Sequence, residues 1–330
     1  MATNQYVPDS ATLLDIYKRA ALLKANDERA RKVILSGQIA MVYYSYRGQE
    51  IIPSALSACL RDDDSLCTIY RGIHDMLAKG FPLRPLWAEL AGRKTGSCKG
   101  KGGPMHLTYP PKGIMVTTGI VGSTAPIANG LAWAAQLDKS DRVSVCTFGD
   151  GASNIGAVHE AMNLAACWNL PTIFICQNNL YAEHTTYEKM TAGETIAGRA
   201  AGYGMPGVRV NGNDAAEMYA AAAEAVARAR AGEGPTLIEC MTFRFFGHSF
   251  GDDDTRYIPK EQKAAAMAAD PVPALRAKLI ADRIATEEEL AAIEAGIEAE
   301  IDDAVKFALD SEWPVADDLR FDVFEKEIAA

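Results

Sequence analysis

The stretch RVSVCTFGDGASNIGAVHEAMNLAACWNLPTIFICQNN, residues 142–179, restricts the folds open to this chain more than any other. Two short runs rich in β-formers, 142–148 and 171–176, bracket a segment whose apolar residues recur at helical spacing. Gly149, Asp150 and Gly151 mark the first junction, and Asn178 and Asn179 close the second run. Strand, turn, helix and strand within about thirty residues make a βαβ unit, whose crossover makes both strands point the same way. Asp150 and Asn179 are therefore predicted to emerge at one edge of a sheet, beyond the carboxyl ends of its strands, where open α/β sheets take ligands. A carboxylate and an amide oxygen there suit a hard divalent cation; magnesium takes few protein oxygens and completes its octahedron with phosphate and water. Gly151 allows close backbone approach, and the helix that follows offers free N–H groups to phosphate oxygens. Taken singly, each end reads as an ordinary turn or cap. Together, at this spacing, they favour ligands.

Two other phosphate motifs fail on spacing. After Gly149 and Gly151 the dinucleotide fingerprint needs a third glycine, and Asn154 stands there; the loop KTGSCKGKGGP does not have the P-loop spacing. The remaining pattern extends the α/β reading. A helical stripe over 12–36 stops at Gly37, and glycine punctuation from 92 to 104 marks a long loop. Asn213 and Asp214 can cap a helix that ends at Gly232, 236–243 reads as a strand, and beyond 259 Leu290, Ile293, Ile297, Ile301 and Val305 mark one amphipathic face. The expected fold is thus three-layer αβα with a mostly parallel sheet and a C-terminal helical tail. Its parts are a helical arm (1–40), an α/β domain (41–260) and a helical extension (261–330). Lys and Arg total 33 against 43 Asp and Glu, so nucleic acid and anionic membrane surfaces are not the expected partners. No signal peptide and no membrane span is read. Seven cysteines without a C-x-x-C pair fit a reducing cytoplasm.

The G-D-G…N-N pair resembles the thiamine-diphosphate motif, and further words occur in order around it. They are YRGQE (46–50), YRGIHDMLAKG (70–80), LAGRKTGSCKGKGGPMH (90–106), TGIVGS (118–123) and FRFFGHSFGD (243–252). From about residue 12 to 310 the chain resembles the α subunit of the first component of 2-oxo acid dehydrogenase complexes, the acetoin dehydrogenase branch included. That resemblance implies the thiamine-diphosphate-binding fold. It also implies magnesium held by Asp150, Asn179 and the main-chain oxygen of Tyr181, with phosphate contacts from the backbone of Gly151 and Ala152. Tyr70 and Arg71 would reach the diphosphate from the other side, the planar guanidinium suiting phosphate. Gly119 and Val121 match positions that meet the aminopyrimidine ring, and Gln49 would lie nearby. His248 matches the loop histidine beside the reactive carbon, a residue type that titrates near neutral pH; Arg244 and Asp252 would hold its loop. Ser249 falls where mitochondrial relatives carry a regulatory phosphoserine, and here reads as a hydrogen-bonding serine.

The chain departs from the family pattern at three places. Tyr44 stands where many relatives have histidine, Ile73 stands where a histidine often follows the Y-R pair (His74 is adjacent), and Gln177 replaces a glutamate. These positions surround the cofactor and the substrate entry, so they leave the substrate open between acetoin, pyruvate and another 2-oxo acid. The glutamate that activates the cofactor lies, in single-chain relatives, in a second α/β domain. A β subunit is therefore expected to complete the site, in an α2β2 heterotetramer, with a lipoyl-bearing acyltransferase as acceptor. Two alternatives stand beside this reading: lyase or decarboxylase chemistry without a lipoyl acceptor, and a homologue that binds diphosphate or a partner without catalysis.

Overall fold

A computed structural model describes residues 6–322; the outermost parts of the expected arm and extension, 1–5 and 323–330, lie outside the described residues. The strands are β1 (Ser65–Ile69), β2 (Ile114–Thr118), β3 (Ser144–Gly149), β4 (Thr172–Asn178), β5 (Tyr181–Ala182), β6 (Thr185–Thr186), β7 (Gly207–Asn211) and β8 (Thr236–Met241). The helices are α1 (Ser10–Leu35), α2 (Ile51–Ser57), α3 (Ile73–Ala78), α4 (Leu83–Leu90), α5 (Thr124–Leu137) and α6 (Gly156–Cys167) in the first half. They continue as α7 (Tyr187–Met190), α8 (Ala215–Arg230), α9 (Lys260–Ala268), α10 (Pro271–Ala281) and α11 (Glu287–Asp310).

Six strands form one parallel sheet in the order β2-β1-β3-β4-β8-β7, while β5 and β6 make a small antiparallel ribbon. Parallel strands covered on both faces must be apolar throughout. Ile173, Phe174, Ile175 and Cys176 of β4 are accordingly all at 0% exposure. Cys67, Cys146, Cys176 and Cys240 sit buried as free thiols in four of these strands, acting as small apolar side chains. One face is covered by α5 and α6 over Cys67, Cys146, Phe148 and Phe174. The other face carries α1, α2, α8, α10 and α11 in a single cluster with Val145, Ile173 and Ile238. In α11 Leu290, Ile301 and Val305 are buried there, with Ile293 and Ile297 half-buried against it, so the terminal helices share the core of the sheet.

Element ends follow the local chemistry. The Asp214 carboxylate accepts from the N–H groups of Ala216 and Glu217 at the start of α8, and Gly232 after its end has φ +74°. One expectation is corrected. The helix after Gly151 does not follow the turn directly: a 3-10 turn, Gly151–Asn154, comes first, and extended Ile155 separates it from α6. The N–H groups nearest Asp150 are therefore those of the short turn. It is pinned by Ser153, whose hydroxyl and N–H both donate to the Asp150 main-chain oxygen.

Candidate active site

Strand order places the site. From β1 the sheet grows outward to β2 on one side and to β3 and β4 on the other, so a crevice opens where the order reverses. Tyr70 and Arg71 leave the carboxyl end of β1, Gly119 that of β2, Asp150 that of β3, Asn179 that of β4, and Arg244 follows β8. In register, Gly149 of β3 pairs with Gln177 of β4, so Asp150 and Asn179 emerge side by side. Tyr70, Arg71, Gly119, Val121, Asp150, Gly151, Ala152, Asn179, Tyr181, Arg244 and His248 all line one pocket of about 390 Å³.

Asp150 is 1% exposed, and its Oδ2 has no hydrogen-bond partner among the described residues. Burial pushes its carboxyl up to about 6, against the pull of Arg244. The two amides at the end of β4, Asn178 its last residue and Asn179 the next, divide their work. Asn178 is structural: its Nδ2 donates to buried Glu239 at 2.8 Å, and its Oδ1 accepts from Leu180 N at 3.2 Å. Asn179 faces the pocket, its Nδ2 donating to Gln49 Oε1 at 3.3 Å. Leu180 adopts φ +72°, an uncommon conformation for a leucine, and this sharp turn brings Tyr181 back to the same wall. Gly151 cannot be replaced there, because a Cβ would sit 2.6 Å from that of Ala182. Gln49 itself is fully buried with its Nε2 unpartnered. Among the described residues no cluster of three or more His, Cys, Asp or Glu side chains could hold a metal. A cation here would take one carboxylate and otherwise amide, carbonyl and phosphate oxygens, a donor set that suits magnesium.

Opposite stand two buried guanidiniums. Arg71 donates to the main-chain oxygens of Ser45 (2.6 Å) and His248 (2.8 Å). Arg244, 1% exposed, donates to those of Phe246 and Glu183, both at 2.9 Å. Among the described residues neither forms an ion pair with a carboxylate. Burial and the charge of Arg244 lower Arg71 to about 10, which leaves it protonated. Two like charges held out of water with no directly paired carboxylate make this wall of the pocket favourable to an anion.

The His248 loop is built, as expected, on Arg244 and Asp252. The His248 N–H donates to Asp252 Oδ2 at 2.7 Å and to the Tyr257 hydroxyl at 3.0 Å. Phe245 is buried, and Phe250 N donates to Tyr43 O at 2.7 Å. The expectation that this histidine titrates near neutral pH is not met. Burial, then Arg71 and Arg244, push the imidazole down to about 4. Its Nδ1 faces the Arg71 Nη2 donor at 3.4 Å, so the neutral ring carries its proton on Nε2.

The departures resolve differently. Tyr44 is on the pocket wall. His74 is not: it is 1% exposed, stacked on Tyr46, and bridges the Arg71 main-chain oxygen (3.1 Å) to Gln177 Oε1 (2.8 Å). Gln177 in turn donates to Asp75 at 2.8 Å, so these residues brace the ends of β1 and β4 against each other from below. Glu89 is a residue whose role sequence reasoning missed. Fully buried at the end of α4, it accepts four backbone N–H bonds, from Cys98 (2.8 Å), Gly100 (2.9 Å), Gly102 (2.7 Å) and Gly103 (3.2 Å). A Cβ on Gly96 would collide with the same side chain. The glycine-rich loop is thus wound around one carboxylate, and it delivers Met105 to the pocket wall. The only signal in the sequence is a glutamate ahead of a glycine run.

Similarity to known proteins runs along most of the chain. Residues 17–316 match the family model described as the dehydrogenase E1 component. The α subunit of acetoin:2,6-dichlorophenolindophenol oxidoreductase from Bacillus subtilis (strain 168) is 39% identical over 309 residues, 94% of this chain and 92% of its own length. The α subunit of the same name from Cupriavidus necator is 37% identical over 96% of this chain and 95% of its own. The pyruvate dehydrogenase E1 component α subunit of Rhizobium meliloti (strain 1021) is 36% identical over 94% of this chain and 89% of its own. The chain belongs to the dehydrogenase E1 component family, whose members use thiamine diphosphate.

Proposed function

We propose that this chain is the α subunit of a thiamine-diphosphate-dependent dehydrogenase that cleaves acetoin or decarboxylates a pyruvate-like 2-oxo acid and passes the acyl or aldehyde unit to a lipoyl group on an acyltransferase. One observation carries this reading: among the described residues, two buried guanidiniums with no directly paired carboxylate and a buried carboxylate oxygen with no hydrogen-bond donor line a single pocket. A magnesium diphosphate satisfies both sides at once. Asp150, Asn179 and the main-chain oxygen of Tyr181 hold the cation. Tyr70, Arg71, Arg244 and the N–H groups of Gly151 and Ala152 hold the diphosphate. Gly119 and Val121 meet the pyrimidine end.

When bound, the cofactor supplies an electron sink for breaking a carbon–carbon bond beside a carbonyl. The chain's own part is positional and protonic. His248 presents its Nε2–H to an oxygen of the substrate, held by the bonds from its main chain to Asp252, Tyr257 and Arg71. A β subunit completes the site, in an α2β2 heterotetramer. Exposed apolar side chains support that partner: Val121 (41% exposed) lines the pocket, Ile120 (72%) precedes it in the chain, and Ile127, Trp133 and Leu137 are exposed on α5. Free thiols throughout and the absence, among the described residues, of a helix long and apolar enough to cross a membrane accord with work in the cytoplasm.

Calorimetry with magnesium and thiamine diphosphate tests the site. Asp150→Ala removes the one carboxylate of the proposed cation shell and is expected to weaken binding by about 100-fold or more. Unchanged affinity would overturn the assignment.

A further inference from the structure

Tyr43, Tyr44 and Tyr46 lie together between α1 and α2, and they are anchored unequally. Tyr43 and Tyr46 are buried; the first donates its hydroxyl to Asp27 at 2.9 Å, the second to the Leu23 main-chain oxygen at 3.0 Å. Tyr44 turns the other way, onto the pocket wall, its ring edge-on to Tyr70 (centroids 4.5 Å apart) and to His248 (5.4 Å). Its hydroxyl has no partner among the described residues and is not a buried orphan. It is a free donor and acceptor beside the histidine of the reactive end.

The charges on the wall are already committed. Arg71, Arg244, Asp150 and Glu183 are the charged side chains there. Both guanidiniums donate to main-chain oxygens and, on the reading given above, face the diphosphate. Among the described residues, the pocket wall around Tyr44, Tyr70 and His248 carries no side-chain cation of this chain besides Arg71 and Arg244 to pair a substrate carboxylate, and Glu183 would repel one. Removing a carboxylate from water without a partner is strongly unfavourable, whereas a neutral hydroxyketone needs one or two hydrogen bonds.

We propose that Tyr44 sets substrate specificity in this chain: its hydroxyl hydrogen-bonds an oxygen of an uncharged vicinal hydroxyketone, and the aromatic corner it forms with Tyr70 and His248 disfavours 2-oxo acids. This rests on the dehydrogenase reading and narrows its substrate class. A site built to bond a polar group discriminates by that bond, because losing it leaves a partner unsatisfied.

The test uses the complex of this chain with its β subunit, assayed on acetoin and on pyruvate with 2,6-dichlorophenolindophenol as electron acceptor. The native complex is expected to show the higher kcat/KM on acetoin. Tyr44→Phe, which removes only an atom with no protein partner, should lower the acetoin-to-pyruvate ratio of kcat/KM by about ten-fold. Tyr44→His, which can donate a charged hydrogen bond, should lower it further by raising the pyruvate value. Calorimetric affinity for magnesium and thiamine diphosphate should stay within about two-fold in both variants, which separates substrate recognition from damage to the cofactor site. An unchanged ratio in Tyr44→Phe, a native preference for pyruvate, or a fall in cofactor affinity would each overturn the role of Tyr44 while leaving the dehydrogenase reading intact. A cofactor-loaded native complex that turns over neither compound would overturn that reading itself, and the inference with it.

Discussion

At Asp150 the requirements of folding and of binding are opposed. A carboxyl raised from 3.8 to about 6 by burial is one the fold would rather keep protonated. The resulting penalty is absent below the unfolded value and complete once pH exceeds about 6, so at neutral pH the cofactor-free chain carries all of it. Asp150→Asn is therefore expected to raise the stability of the cofactor-free chain by about 1–3 kcal/mol at pH 7 while abolishing cofactor binding. Thermal denaturation checks the first half and calorimetry the second; a destabilised variant would mean the carboxylate is held by interactions other than those described. His248 shows the complementary effect. Its folded value near 4 lies below the ordinary 6.5, so the unfolded chain takes up this proton first and stability is lost as pH falls between the two. A diphosphate set against Arg71 and Arg244 removes two of the causes. The imidazole is thus expected to titrate higher in the loaded protein, by roughly one unit, as followed by its ring resonances in NMR. No upward movement on loading would contradict the placement of the anion beside these arginines. That Asp150 and Asn179 are neighbours is legible in the sequence, because a parallel crossover fixes strand direction and glycines mark the turn. The displaced titration of His248 is not legible, since it needs Arg71, more than 170 positions away, in van der Waals range.

Among the elements, the two loops that reach the pocket are held in contrasting ways. The glycine-rich segment has an internal anchor in Glu89 and an external one along the C-terminal strap. There Arg93 stacks on Trp313, Lys99 meets Asp322 at 2.6 Å, and Lys94 N donates to Glu312 O. Glu89→Gln keeps the shape but turns an amide group toward backbone donors, so it is expected to raise hydrogen exchange over 96–103 and to weaken cofactor binding by about ten-fold. Exchange unchanged from the native chain would show that the strap alone holds the loop. The segment from Arg244 to Pro259 is polar, with three consecutive aspartates at its turn, and is held by hydrogen bonds of Arg71, Arg244, His248 and Asp252, by Lys263 on Asp254 at 2.6 Å and by buried Phe245. Its exchange is expected to be fast in the isolated chain and slow once cofactor and β subunit are added; equal protection in both states would remove any gating role. Short elements were the least legible. β1, β2 and β7 span five residues each, and nothing in SLCTI or IMVTT separates a buried strand from any brief apolar run. The long helices α1, α8 and α11 were legible because repetition over several turns makes an apolar stripe unambiguous.

For the molecule as a whole, the pocket lies at the carboxyl edge of the sheet. The residues proposed to hold phosphate and cation stand at the carboxyl ends of β1, β3, β4 and β8, while Ile120, Val121, Ile127, Trp133 and Leu137 are apolar and exposed. On the function proposed above, that combination describes half of a cleft whose other wall belongs to the β subunit. The most direct measurement is turnover, on acetoin and on a 2-oxo acid with an artificial electron acceptor, by the purified chain alone and by the chain co-expressed with its β subunit, each with and without thiamine diphosphate and magnesium. Activity is expected only when both chains, the cofactor and the cation are present. Robust turnover by the isolated chain, with mass spectrometry excluding a copurified partner, or turnover that persists after the cofactor is stripped, would contradict the account.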